Sequence, residues 1–225
     1  MPPIVIEHDG ITVVRDDLVE GGTKRPVLAE LLPVWTDDEF VFPAASEGYG
    51  QIALALAARD AGKRATIFVA ERKTPTPETQ AALDAGANVV GVPQGRYSVV
   101  QCRAREYAAE HGARYLPPGF ADPEFLAGVA ERARSTRLEP HTVVVTVGSG
   151  ALCRGLMLGW PDAYFIAVKV GMRPDVGRAE IVVAPEEYSH VADEPPPFPS
   201  APYQDAKAWR FVSHDRGVVF WNIAG

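Results

Sequence analysis

The chain has 225 residues, 47% apolar and 23% charged, with a formal net charge of −7, enough for one large domain or two lobes with buried cores. The negative charge and the lack of a basic run disfavour nonspecific adhesion to nucleic acid or an acidic membrane. Cys102 and Cys153 stand far apart, the histidines have no metal-like spacing, no apolar run nears the roughly 20 residues that span a bilayer, and MPPIVIEHDG lacks the build of a secretory signal. A reducing, cytoplasmic setting with no metal and no membrane is expected.

ITVVRDD reads as a β-branched strand. VLAELLP is a short helix stopped by Pro33, FVFPAA a brief strand, and YGQIALALAARDAGK an alanine-rich helix closed at Gly62. ATIFVA is a buried strand. In TPETQAALDAG, Thr76 caps a helix, Pro77 takes its first position and Gly86 lies beyond its end. NVVGV is a strand, SVVQCRAREYAAEHG a helix ended by Gly112, and DPEFLAGVAERARS a helix capped by Asp122. TVVVTV is a continuous apolar strand of the kind buried on both faces. GSG, the helix ALCRGLML and the strand AYFIAVKV follow.

This alternation predicts an α/β fold of parallel sheets flanked by helices. Two lobes are expected: a large one from residues 1–40 and 117–225, and a small one, 41–116, inserted within it. DEPPPFPSAP (193–202) is too proline-dense for a helix or central strand and reads as an extended connector. WRFVSHDRGVVFWNIAG predicts a C-terminal hairpin turning at HDRG.

Three stretches carry chemistry. In EGGTKR, two glycines lead into Lys24; Gly21 and Gly22 would clear space for a planar ligand, and Arg25 would raise the local potential and favour a neutral amine. In SEGYGQ (46–51), between a strand and a helix, Ser46 suits either a carboxylate or a helix N-cap. Glu47 suits a substrate ammonium or solvent, and Tyr49 suits stacking on a ligand or plain packing. In VTVGSGAL, Gly148 and Gly150 let backbone N–H groups turn inward at a helix start, an arrangement suited to phosphate, with Ser149 adding a hydroxyl.

In this order the three stretches resemble the fold type II family of pyridoxal-phosphate enzymes, the tryptophan synthase β-like superfamily. The likeness is to its aminocyclopropane-carboxylate deaminase and D-cysteine desulfhydrase branch, and it covers roughly residues 11–170. EGGTKR looks like the Schiff-base lysine segment and AASEGYGQIALALAARDAGKRATIFV like the substrate-carboxylate loop, helix and strand. PETQAALDAGANVVGV looks like the next helix and strand, and VVVTVGSGALCRGL like the phosphate loop. The resemblance implies pyridoxal 5′-phosphate as cofactor. Lys24, Ser46 and Tyr49 would be catalytic, with the cofactor on Lys24, Gly48, Gly50, Gly148, Ser149, Gly150 and Ala151, and the substrate on Ser46, Glu47, Tyr49 and Gln51. A homodimer is the expected assembly.

The sequence departs from the family at its ring-hydroxyl asparagine, which is Gly48 here, at the preceding glycine, which is Glu47, and at a common histidine, which is Tyr49. Gly48 is expected to leave a wider pocket. Ser213, Asn222 and Tyr203 are candidate partners for the ring nitrogen.

The expected function is a lyase-type reaction at the α-carbon of an amino-acid group: elimination, deamination or decarboxylation. The alternatives are processing of an amino-acid group carried on a larger molecule, such as a modified nucleoside or DNA, and a noncatalytic protein that binds the cofactor or another phosphorylated ligand. A nucleotide-binding α/β module with an unrelated lysine is a further class. Nucleic acid enters only as a modified substrate.

Overall fold

The computed structural model describes residues 2–93, 95–171 and 174–224. In chain order the strands and α-helices are β1 (Val5–His8), β2 (Ile11–Arg15), α1 (Lys24–Leu31), β3 (Glu39–Pro43), α2 (Gly50–Asp60), β4 (Arg64–Ala70), α3 (Pro77–Asp84), β5 (Asn88–Val92), α4 (Tyr97–His111), β6 (Arg114–Tyr115), α5 (Pro123–Ser135), β7 (Thr142–Val147), α6 (Ala151–Gly159), β8 (Tyr164–Lys169), β9 (Glu180–Val183) and β10 (Val218–Asn222). The chain divides into two compact units, Met1–Thr23 with Pro123–Gly225, and Lys24–Asp122.

The first unit is built on a six-stranded sheet in the order β1-β2-β10-β7-β8-β9. Only β1 runs against its neighbour. It joins β2 through Asp9 and Gly10, both at positive φ (49° and 80°), as a two-residue hairpin turn with matching twist demands. On one face Val13, Val144, Val168 and Phe220 form a core that Phe198, Trp209 and Phe211 extend. α5 packs on α6 so closely that a methyl group at Gly155 would stand 2.6 Å from Val129 Cβ. A buried ion pair crosses this unit: Arg132 grips both carboxylate oxygens of Asp16, at 2.5 and 2.8 Å.

The expected C-terminal hairpin is not formed. Asp205–Phe211 is a 3₁₀ helix, and β10 inserts alone between β2 and β7, parallel to both. All five residues of β10 are buried, the pattern of an interior parallel strand rather than half of a surface hairpin.

The second unit carries a four-stranded, wholly parallel sheet in the order β5-β4-β3-β6. Gly50 through Ala58 of α2 are buried without a break, as a helix covered on every side must be. α3 has Thr76 Oγ1 accepting from the Thr79 N–H and Pro77 at its first turn. This unit is larger than residues 41–116. α1 belongs to it because it packs on α2 and Arg25 pairs with Asp60 at 3.0 Å. Residues 117–122 belong to it because the Phe120 ring packs, tilted, against that of Phe42, with centroids 4.4 Å apart. Among the described residues, no helix is long and apolar enough to cross a membrane.

Candidate active site

Lys24 opens α1, half-buried, directly after the Gly21–Thr23 turn. Gly21 and Gly22 hold φ of 85° and 68°. A methyl group on Gly22 would stand 2.3 Å from the Ile223 carbonyl oxygen, the same oxygen that accepts the Thr23 N–H at 3.0 Å. Trp221 Nε1 donates to Thr23 Oγ1 at 2.9 Å within the buried core. At Gly22, then, the missing side chain makes room for the chain's own backbone rather than for a ligand. The turn is fastened to the end of β10. Arg25 is not a free source of positive potential, because Asp60 compensates it.

The Ser46–Gln51 loop follows β3 and leads into α2. Gly48 donates to the Ala45 carbonyl at 3.0 Å, closing a turn, and a methyl group at 48 would sit 3.1 Å from that oxygen. A Cβ at 48 would thus lie against the loop's own turn at Ala45. Gly50 is buried as the first residue of α2, with an added methyl 3.1 Å from Phe42. Tyr49 and Glu47 are half-buried.

Gln51 is fully buried and braces the loop. Its amide donates to the Ser46 carbonyl at 2.8 Å and accepts from Thr79 Oγ1 at 3.0 Å. Thr76 Oγ1 donates to the same Ser46 carbonyl at 2.6 Å. The Ser46 side chain, 8% exposed, accepts from Arg72 Nε at 3.2 Å, while Arg72 Nη2 reaches Glu47 Oε1 at 2.8 Å. Among the described residues the Ser46 hydroxyl proton has no acceptor, so it stays available as a donor toward an anion. Arg72 and the two threonines escape a reading by motif, since ERKTPTP looks like an exposed loop and Thr76 only like a cap. The recoverable signal is topological: β3 and β4 are parallel neighbours, which brings the loops at their carboxyl ends side by side.

The Gly148–Ala151 loop lies in the other unit, between β7 and α6. Gly150 has φ 91°, and a methyl group there would stand 1.9 Å from the Asp175 carbonyl oxygen. Asp175 N–H in turn donates to the Ser149 carbonyl at 3.1 Å, pinning the loop from behind. Gly148 is exposed, and a methyl group on it would meet nothing within 4 Å. Among the described residues, no backbone carbonyl takes the N–H of Ser149 or of buried Gly150. Orphaned donors at the start of a nine-residue helix, beside a glycine whose missing side chain leaves an open cradle, fit a phosphate. Cys153 on this helix is buried, and desolvation pushes its thiol up to about 12, so it is inert packing. Of the ring-nitrogen candidates, Ser213 is exposed and donates to Asp215 at 2.9 Å. Asn222 is fully buried and committed to Ser200 at 2.7 Å and the Pro199 carbonyl at 2.8 Å, and Tyr203 is half-buried.

The family described as pyridoxal-phosphate dependent enzyme matches residues 41–209. A glycyl-dTMP PLP-dependent decarboxylase of Pseudomonas phage M6 is 27% identical over a match spanning 66% of this chain and 66%, just under two thirds, of that protein. Among solved structures, an ACC deaminase homologue superposes with a TM-score of 0.80 at 19% identity, covering 95% of this chain and 84% of its own. The processed form of threonine deaminase isoform 2 from Solanum lycopersicum gives 0.75 at 18%, covering 96% and 75%. Escherichia coli diaminopropionate ammonia lyase gives 0.72 at 16%, covering 100% and 83%. At such identities the structural likenesses establish the fold. With the family matched over most of its length, the chain belongs to the pyridoxal-phosphate-dependent enzymes of fold type II, and pyridoxal 5′-phosphate is the cofactor that its glycine loop fits.

Proposed function

We propose that the protein removes the carboxyl group from an amino-acid group carried on a nucleotide. The observation that carries this reading is the likeness to the phage glycyl-dTMP decarboxylase. Bound pyridoxal phosphate supplies an electron sink for a carbanion at the amino-acid α-carbon. In this reading Lys24 Nζ holds the cofactor covalently, and Gly48 and Gly50 shape the loop beside it. The backbone N–H groups of Gly148, Ser149, Gly150 and Ala151 hold the phosphate.

The Ser46 hydroxyl donates to the substrate carboxylate, with Gln51 fixing the loop backbone behind it, and Glu47 and Tyr49 line the substrate's approach. As CO2 leaves, the carboxylate loses its charge. A neutral hydroxyl holds the substrate without the ground-state penalty that a cation bound directly to the carboxylate would bring. Lys24 Nζ then returns a proton to the α-carbon.

A second reading, elimination or deamination of a free small amino acid, draws on the fold shared with deaminases and lyases. Purified protein incubated with glycyl-dTMP should release CO2 and yield a nucleotide lighter by that mass. Ammonia from aminocyclopropane carboxylate, threonine or D-cysteine, with no CO2 from glycyl-dTMP, would select the second reading. Borohydride reduction and peptide mapping should place the pyridoxyl group on Lys24. Its appearance on Lys207, which is 1% exposed and whose ammonium burial disfavours against the opposing pull of Glu186, would overturn that assignment.

A further inference from the structure

Arg72 has a guanidinium with two distinct edges. The side edge is spent: Nε donates to Ser46 Oγ at 3.2 Å and Nη2 to Glu47 Oε1 at 2.8 Å. The outer edge, the parallel N–H pair of Nη1 and Nη2, has no acceptor among the described residues, and the side chain is 50% exposed. Such a fork matches two oxygens of one anion. Glu47 holds the group in place, so little side-chain freedom remains to be lost when a ligand arrives. The outer edge also points away from the atoms bonded to the side edge. An anion seated on it is therefore a different group from one that takes the Ser46 hydroxyl proton, and a ligand filling both places carries two anionic groups.

We infer that the outer fork of Arg72 binds the phosphate monoester of the substrate, making Arg72 the residue that selects a nucleotide-borne amino-acid group over a free amino acid. This rests on the decarboxylase reading above. It extends that reading by assigning Ser46 to the carboxylate and Arg72 to the phosphate. A free small amino acid offers one anion and leaves the fork in water.

The test compares glycyl-dTMP with dephosphorylated glycyl-thymidine on the cofactor-loaded wild type, Arg72→Ala and Arg72→Lys. Binding is read from the cofactor absorption band and, separately, by calorimetry. Arg72→Ala removes the Nε contact to Ser46 for both compounds, and should weaken glycyl-dTMP by a further factor of roughly 10 to 150 beyond any loss for glycyl-thymidine, the weight of a lost charge-assisted contact. Arg72→Lys, which keeps the charge but not the fork, should fall between. Equal losses for both compounds would show that Arg72 acts only through Ser46 and would overturn the inference. Wild-type protein that binds both compounds equally would overturn it as well. Failure of the cofactor to load on Lys24 would defeat the decarboxylase reading instead, and calorimetry on the cofactor-free proteins would still test the fork.

Discussion

The two glycines of the phosphate loop are glycine for different reasons, and alanine substitutions separate them. At Gly150 an added methyl would stand 1.9 Å from the Asp175 carbonyl oxygen, at a φ of 91°. Left-handed backbone costs a non-glycine residue roughly 1–2 kcal/mol, and forcing the Asp175 segment aside adds roughly 1–3 kcal/mol. Gly150→Ala should therefore lose about 2–5 kcal/mol of folding stability. At Gly148 the methyl meets nothing within 4 Å and no positive φ is required, so Gly148→Ala should stay within about 0.5 kcal/mol of wild type. That methyl would instead occupy the open side of the loop and crowd the phosphate. Losing one charge-assisted contact of about 1.5–3 kcal/mol weakens cofactor binding roughly 10- to 150-fold. Urea unfolding must be followed on cofactor-free protein, because bound ligand itself raises apparent stability. Cofactor affinity is read by absorbance titration. A folded Gly148→Ala protein with wild-type affinity would place the phosphate elsewhere, and a Gly150→Ala protein of native stability would refute the Asp175 clash as the reason for glycine.

Thr23→Val keeps the shape of the residue but leaves the buried Trp221 indole N–H without its acceptor. It should cost about 1–3 kcal/mol in urea unfolding and loosen the turn before Lys24. Burial pushes the Glu39 carboxyl upward, but hydrogen bonds from Thr66, Arg64 and Tyr107 outweigh it and hold the pKa below its ordinary value. Its stabilising contribution is thus complete above the usual carboxylate range and is lost as pH falls through the lowered value. Glu39→Gln should flatten the acid side of the stability–pH curve and leave its alkaline side unchanged. A thiol reagent at pH 8 should modify exposed Cys102 in native protein and reach Cys153, whose thiol stands at about 12, only after unfolding; two fast thiols would refute the packing role.

Much of the fold is legible because period and punctuation agree. TVVVTV and ATIFVA are apolar runs too short for helices and become central strands, while Thr76, Pro77 and Gly112 mark helix ends where the structure has them. What escapes is decided by distant partners. β6 is two residues long and exists only through its pairing with β3, and β9 is an edge strand with three exposed residues out of four. The C-terminal segment misleads for a physical reason. HDRG is turn-like chemistry, but a hairpin also needs a strand before it, and DAKAWRF instead lays Trp209 and Phe211 onto Phe198 and Phe220 as a 3₁₀ helix.

The glycines show most directly how local reading and packing differ. Next to a lysine, Gly21 and Gly22 suggest ligand clearance, yet the space at Gly22 is taken by the Ile223 carbonyl, in the same knot of chain ends where Trp221 donates to Thr23, 198 residues away in sequence. A sequence shows that a side chain must be absent but not what fills its place. Among these positions only Gly148 is glycine without a protein atom within 4 Å to require it and without a positive φ. An unexplained glycine of that kind signals a ligand more strongly than a glycine-rich string does. The same reasoning favours Arg72 over neighbouring surface cations. Arg103 spends its charge on Glu106, exposed and one helical turn away, whereas Arg72 spends only one edge and keeps the other fixed beside a buried hydroxyl donor. Selectivity then comes from the second anion, and a substrate without one should bind the same loop through Ser46 alone.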